Sequence, residues 1–410
     1  MAPEQPAKDG LGPARPGLVV LAFAAFAAVT TEMLPMGLLP AISSSFGTSE
    51  SRTGQIVSLY AIVVALGAVP VTIATRRLPG KLLLLITTIA YAVSNLHSAL
   101  APTLDVLAAA RLLGGATHAL FFSLVIGYAA RLVPAAQSGR ALALASTGAS
   151  GGFILGVPLA TAVGNAVGWR GAFGILVALM LATTALIVVF LPDARTANEP
   201  KPATPGRKRD LAAVVATNTL AYLGQYSLYT YVSVLLLASG IPIAWVAPAL
   251  FAFGVAGLLG IGIAARHLDL RPRRSALVII GAIGAGLAGV AVGVPSMVLV
   301  LLAGVVWCGA FGPAPSLFQS AAVRARAVSP EIAGAWVNST ANAGIAGGAL
   351  IGGLVLDASG ISQVAWTGAA LLGLTLLAVL AWRRAFPTRS SEFEVDRGRA
   401  DAVSAGDLTP

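Results

Sequence analysis

The chain has 410 residues, 57% of them hydrophobic and 10% charged, whereas soluble domains carry about 25% charged residues. This composition excludes the two or three soluble domains that the length alone would allow. A net charge of +10 does not mark a nucleic-acid binder here, because the basic residues fall in short connections between apolar runs, where they orient the chain and meet anionic lipid.

A helix needs about 20 apolar residues to cross a hydrocarbon core roughly 30 Å thick. Runs of that kind lie near 18–42, 54–75, 82–101, 104–131, 141–164, 171–191, 211–238, 244–265, 275–294, 296–322, 333–356 and 364–382. The expected fold is an all-α membrane protein of twelve transmembrane helices in two pseudo-symmetric six-helix bundles. Residues 1–16 are expected to be a disordered cytoplasmic N-terminus and 17–191 the first bundle. A cytoplasmic linker spans 192–210, the second bundle 211–382, and a mobile cytoplasmic tail 383–410. All but three of the 26 Lys and Arg sit on alternate connections; Arg52 and Arg170 lie on the other side and Arg111 inside a run. Cationic loops stay cytoplasmic, so both termini are expected there and the protein in the inner (plasma) membrane. The first run is too long for a cleaved signal, contains Glu32, and is followed by no small-residue cleavage site.

In the first run Glu32 is the one carboxylate deep in a span, about 14 residues or roughly 21 Å from its cytoplasmic start. Arg111 lies about seven residues, or roughly 10 Å, into the fourth span from the opposite side. The depths nearly match, so an ion pair is possible. Burial favours a neutral carboxyl and a nearby Arg favours the charged one. Glu32 is therefore a candidate proton carrier, or half of a static pair joining spans 1 and 4. His118, seven residues after Arg111 with Gly115 between, shares its helix face. It is a second proton candidate or a substrate contact.

Gly148, Gly152 and Gly156 put a smooth stripe on the fifth span, and Gly344, Gly348 and Gly352 repeat it in the eleventh, 196 residues further on. One such stripe is ordinary membrane packing; two at a shared offset point to duplicated halves, which place substrate near the midplane and suit alternating access. The seventh span carries Asn218, Tyr222, Gln225 and Tyr229 on one face. Span 10 adds Trp307, Phe311 and Gln319, and span 11 adds Asn338 and Asn342, each asparagine a binding group or an interhelical hydrogen bond. Stacking surfaces and amides suit an uncharged, moderately polar solute. The lone Cys308 excludes an internal disulfide and a multi-cysteine metal site. No Gly-Lys-Ser/Thr phosphate loop is present, so no built-in ATPase, metal or cofactor is expected.

Several strings resemble the major facilitator superfamily over nearly all of residues 17–384, specifically its twelve-span drug:proton antiporters and their sugar (arabinose) and chloramphenicol efflux branch. They are TEMLPMGLLP (31–40), RLLGGATHALF (111–121), GASGGFILGVP (148–158), GWRGAF (168–173), WCGAFGPAPSLFQ (307–319) and NAGIAGGALIGG (342–353). The resemblance implies a proton-coupling role for Arg111 and a kinked, leak-limiting helix shaped by Gly148, Gly152, Gly156 and Pro158. It implies a cavity lined by spans 1, 4, 7 and 10. The loop after span 2, TRRLPGK (75–81), lacks the acid usual in the superfamily's gating motif. The second copy keeps Asp269 with Arg271, Arg273 and Arg274. Likewise the fifth span reads GVP where the usual motif has Gly directly before Pro. The expected function is proton-coupled efflux of a small neutral or amphiphilic molecule, such as a phenicol, by a monomer that is not an enzyme. A sugar or nucleoside exporter of the same fold and an uncoupled facilitator are the alternatives.

Overall fold

The computed structural model describes residues 12–75, 77–133, 137–192, 207–265, 271–328 and 330–388, and among these every regular element is helical. Among the described residues ten helical runs are long and apolar enough to cross a membrane, Arg140–Phe190 and Met297–Arg324 each counting once, or eleven if one bent pair counts as a single span. The helices of the first half are α1 (Arg15–Phe46), α2 (Glu50–Thr75), α3 (Gly80–Leu100), α4 (Leu104–Arg131), α5 (Ser138–Gly151) and α6 (Val157–Phe190). The second half holds α7 (Lys208–Tyr229), α8 (Val232–Ala238), α9 (Ile243–Ala265), α10 (Pro272–Gly293), α11 (Met297–Phe311), α12 (Ala314–Arg324), α13 (Pro330–Ser359) and α14 (Ile361–Ala381).

Local chemistry sets the ends and breaks. Pro16 opens α1, where its fixed φ suits a first turn. Gly47, at φ 60°, closes the helix left-handed, its N–H reaching the carbonyls of Ser43 and Ser44. A π-helical turn, Gly152–Gly156, joins α5 to α6 just before Pro158. Further on, Gly168 (φ 80°, ψ 156°) interrupts α6 in a conformation open to glycine alone. The chain reverses there. Before it, Gly164 packs on Leu38 of α1; after it, Arg170 Nη2 donates to Ala101 O, Thr184 to Thr88, and Lys81 Nζ to Val188 O, antiparallel to α3. The expected seventh span is bent by 43° between α7 and α8. The tenth divides at Gly312–Pro313 into α11 and α12.

The glycine stripes face equivalent partners in the two halves. A Cβ on Gly148 would run into the Ala22 carbonyl, one on Gly152 would lie 2.6 Å from Val29 Cβ, and one on Gly156 2.5 Å from Thr30 Oγ1, all on α1. A Cβ on Gly344 or Gly348 would lie 2.6 Å from the Thr219 or Leu223 carbonyl oxygen, and one on Gly352 would run into that of Ser227, all on α7. Helix 5 of one half and its counterpart in the other thus press backbone to backbone on the first helix of their own half, with no room for a methyl group.

The halves close on each other at the end of the bundle away from the chain termini, hereafter the far end. Tyr231, in the α7–α8 break, inserts its phenol between Gly54 of α2 and Gly353 of α13 and donates to Ala349 O at 2.8 Å. Ser233 Oγ donates to Met36 O at 2.7 Å, and Asn165 Nδ2 to Ile243 O at 3.4 Å. Nearer the middle, Ser339 donates to Ala65 O at 2.5 Å, and Gly254 of α9 sits against the Ile154 carbonyl of the π turn.

At the boundaries the structure departs from expectation. Gly12–Ala14 are already helical, inside the expected N-terminal segment, and the first helix of the second half starts at Lys208. Residues 383–388 are not a free tail, because Phe386 is fully buried and Pro387 O accepts from Arg273 N–H at 3.1 Å. Residues 1–11, 193–206, 266–270 and 389–410, which include most of the expected linker, tail and Asp269, lie outside the described residues.

Candidate functional site

Two prolines inside α1 shape its centre. Proline has no N–H, so the carbonyl four residues earlier loses its helical partner. Pro35 thereby frees Thr31 O and Pro40 frees Met36 O. Arg111 of α4 takes the first: Nη1 donates to Thr31 O at 2.9 Å and Nη2 to Glu32 O at 3.0 Å. The guanidinium is fully buried and lies 4.2 Å over the Tyr60 ring, a cation–π contact that shields it further.

This corrects the expected Glu32–Arg111 side-chain pair. The planar guanidinium, with its fixed fork of donors, is committed to main-chain acceptors that α1 exposes. The Glu32 carboxylate turns to His118 instead, Oε2 lying 3.7 Å from Nδ1. That nitrogen is also 2.9 Å from the Tyr60 hydroxyl. Glu32, Arg111 and His118 thus do converge, with Tyr60 as hub, in a pocket where each is at least nine-tenths buried. Phe122 covers the imidazole at 4.6 Å between ring centres and Tyr91 meets its edge at 6.5 Å. Asn95 Nδ2 donates to Thr31 Oγ1 at 3.1 Å, and Ser94 to Ala110 O at 2.7 Å, fastening α3 to the same centre.

With the imidazole proton on Nε2, the cluster offers one acceptor nitrogen, His118 Nδ1, to two donors. An ionised Glu32 leaves Nδ1 to the Tyr60 hydroxyl; a protonated Glu32 can itself donate toward it. A proton arriving at Glu32 therefore competes with an existing hydrogen bond, which ties protonation to side-chain rearrangement.

Across the interface the second half supplies a wall of aromatic rings. Trp307 donates its indole N–H to Gln225 Oε1 at 2.6 Å, both buried. Tyr222 and Tyr226 stack at 5.9 Å with planes 5° apart. Phe311 meets both edge-on, at 5.3 and 6.1 Å, and Tyr229 meets Trp307 at 5.9 Å. These are the offset and T-shaped arrangements that ring quadrupoles favour. Glu32 is within electrostatic reach of Tyr222 and Tyr226, so the acid of the first half and the rings of the second share one region.

Other expected residues lie elsewhere or act differently. Gln319 is exposed on α12, past the break, beside Gly334. Asn342 donates to Asn338 O at 3.0 Å and to its Oδ1 at 3.3 Å, within one helix, and its own Oδ1 is buried without a partner. Asn218 is the interhelical bond, reaching Val337 O and Thr340 Oγ1 at 2.8 and 2.9 Å. Gly148, Gly152, Gly156 and Pro158 build the α1 contact and the π turn. Arg273 anchors the chain end, its Nη2 on Leu380 O at 2.9 Å. Arg271 precedes α10 and Arg274 is exposed. Tyr60, Tyr91, Ser94 and Asn95 were missed. In α3 the series Thr87, Thr88, Tyr91, Ser94, Asn95 and Ser98, all buried, was a polar helical stripe open to the same reading as that of span 7.

A bundle of apolar helices in two similarly packed halves, with a buried acid facing an aromatic wall, defines a membrane carrier rather than an enzyme. The profile of the Major Facilitator Superfamily matches residues 21–334, and the chain belongs to that family: it is a multi-pass membrane transporter, of the inner membrane in a bacterium. A chloramphenicol efflux pump of Mycobacterium tuberculosis is 34% identical over 392 residues, covering 91% of this chain and 94% of that protein. A probable sugar efflux transporter of Mannheimia succiniciproducens is 29% identical over 367 residues, covering 88% and 92%. Among solved structures, an inward-facing bacterial homologue of the lysosomal transporter Spinster superposes with a TM-score of 0.72 at 14% identity, covering 93% of this chain and all of that one. A D-xylose–proton symporter gives 0.72 at 15% identity, covering 91% and 98%.

Proposed function

We propose that the protein exports a small neutral or amphiphilic molecule, of which a phenicol is the model, in exchange for protons. The chain crosses the membrane twelve times with both termini in the cytoplasm. The break at Gly168 makes two crossings of one 51-residue run, and α7 with α8, and α11 with α12, each make one. The far end then faces outward. As a monomer and without cofactor, the protein draws on the proton gradient alone.

The observation that carries this reading is the buried Glu32–His118–Tyr60 cluster beside the backbone-bound Arg111. An intramembrane acid is costly to keep and marks ion or proton pathways. Protonation of Glu32 would draw it toward His118, displace the Tyr60 hydroxyl, and so alter the packing of α1, α2 and α4 at the interface between halves. The solute would bind between Glu32 and the Tyr222, Gln225, Tyr229, Trp307 and Phe311 wall, close to Asn342. The similarity to a chloramphenicol efflux pump supports an aromatic, uncharged substrate. The sugar efflux relative supports a second reading, a sugar exporter of the same architecture.

Inverted vesicles under an imposed pH gradient test the coupling. Glu32→Gln is expected to abolish gradient-driven uptake of chloramphenicol while leaving passive exchange; undiminished gradient-driven uptake would refute it. A growth screen in an exporter-deficient bacterium decides substrate class, with protection against phenicols ahead of sugars and quaternary cations as the expected order.

A further inference from the structure

Arg111 shows how this protein treats a carbonyl released by proline inside α1: it is given to a side chain from another helix. The second such carbonyl, Met36 O, is released by Pro40, and its donor comes from the opposite half. Ser233 Oγ reaches it at 2.7 Å, both residues fully or almost fully buried. Gly37 beside Met36 is pressed against Thr161, so α1 cannot shift toward its own half to find another donor. When the halves part at the far end, no N–H of α1 can replace the serine.

We infer that Ser233 is a positioning residue of the transport cycle: it latches the far end shut by satisfying the Met36 carbonyl that Pro40 leaves open. The inference rests on the alternating-access reading above. It assigns to Pro40 a purpose distinct from bending the helix. With the latch closed, the carbonyl has a buried partner. With it open, the same carbonyl must be hydrated, so water entry and gate opening become one event. The cost of an unpaired buried carbonyl thus selects against half-open states.

The test uses the full chain in lipid, with Cys308→Ser and spin labels on cysteines at Val167 and Val292. These two positions are exposed, one at the far end of each half. Distance distributions report the ratio of closed to open far ends. Ser233→Ala is expected to lower that ratio about fivefold, the weight of one buried hydrogen bond. In a Pro40→Ala background, where residue 40 regains its N–H and Met36 O its helical partner, the same substitution is expected to lower it by less than twofold. An unchanged distribution in Ser233→Ala, or an equal drop in both backgrounds, overturns the inference. A shift in distances in a chain that moves no solute would keep the latch and sink the exporter reading, so the two fail separately.

Discussion

Arg111→Met removes the guanidinium but keeps most of its apolar bulk, and Pro35 makes its effect calculable. Two hydrogen bonds from a charged donor are lost, at 2.9 and 3.0 Å. At about 1.5 kcal/mol each, the low end for charged donors, the loss is about 3 kcal/mol. Thr31 O bears most of it, because Pro35 gives it no helical N–H, whereas Glu32 O keeps the N–H of Met36. Pro35→Ala restores a partner to Thr31 O. In that background Arg111→Met is expected to cost about 1–1.5 kcal/mol less. The assay is a double-mutant cycle on unfolding of the purified protein in detergent micelles, read by tryptophan fluorescence. Equal losses in both backgrounds would show that Arg111 does not serve the carbonyl that Pro35 releases, and the account of α1 would fall with it.

Three further outcomes follow from the packing. Gly148→Ala drives a methyl group into the Ala22 carbonyl and should lower stability by about 1–3 kcal/mol, seen as reduced monodisperse yield. Gly174→Ala, where a Cβ meets nothing within 4 Å, should be neutral or stabilising by up to about 1 kcal/mol; equal damage at both sites would refute the stripe argument. Trp307→Phe strands Gln225 Oε1 and should destabilise by about 1–3 kcal/mol, and adding Gln225→Leu should recover part of that; a purely additive double variant in thermal unfolding would count against the buried pair.

The bundle was legible in the sequence because the bilayer allows few solutions: apolar runs near 20 residues, and basic connections on one side. Glu32, Arg111 and His118 were legible as rare polar groups at matching depth. Their connectivity was not. Depth along a helix says nothing of which atoms meet, and the decisive acceptor, Thr31 O, is a main-chain atom exposed by Pro35. The rule that exposes it, a missing N–H four residues on, needs only the sequence; that Arg111 fills it needs coordinates. Asn338 and Asn342 illustrate the same limit. Spacing placed both on one face, but only the structure shows them bonded to each other, leaving Asn218 to bridge the helices.

Gly168 turns the chain back on itself within one residue. With no slack at that corner, the outgoing and returning cylinders are yoked: a tilt of one is transmitted to the other instead of being absorbed by a loop. The corner is exposed at Asn165, Ala166, Val167 and Gly168, but a residue inserted there would have to lengthen a turn that the two packed helices hold fixed. An epitope tag spliced beside Gly168 should therefore be far less tolerated than one placed at Thr388, which is exposed.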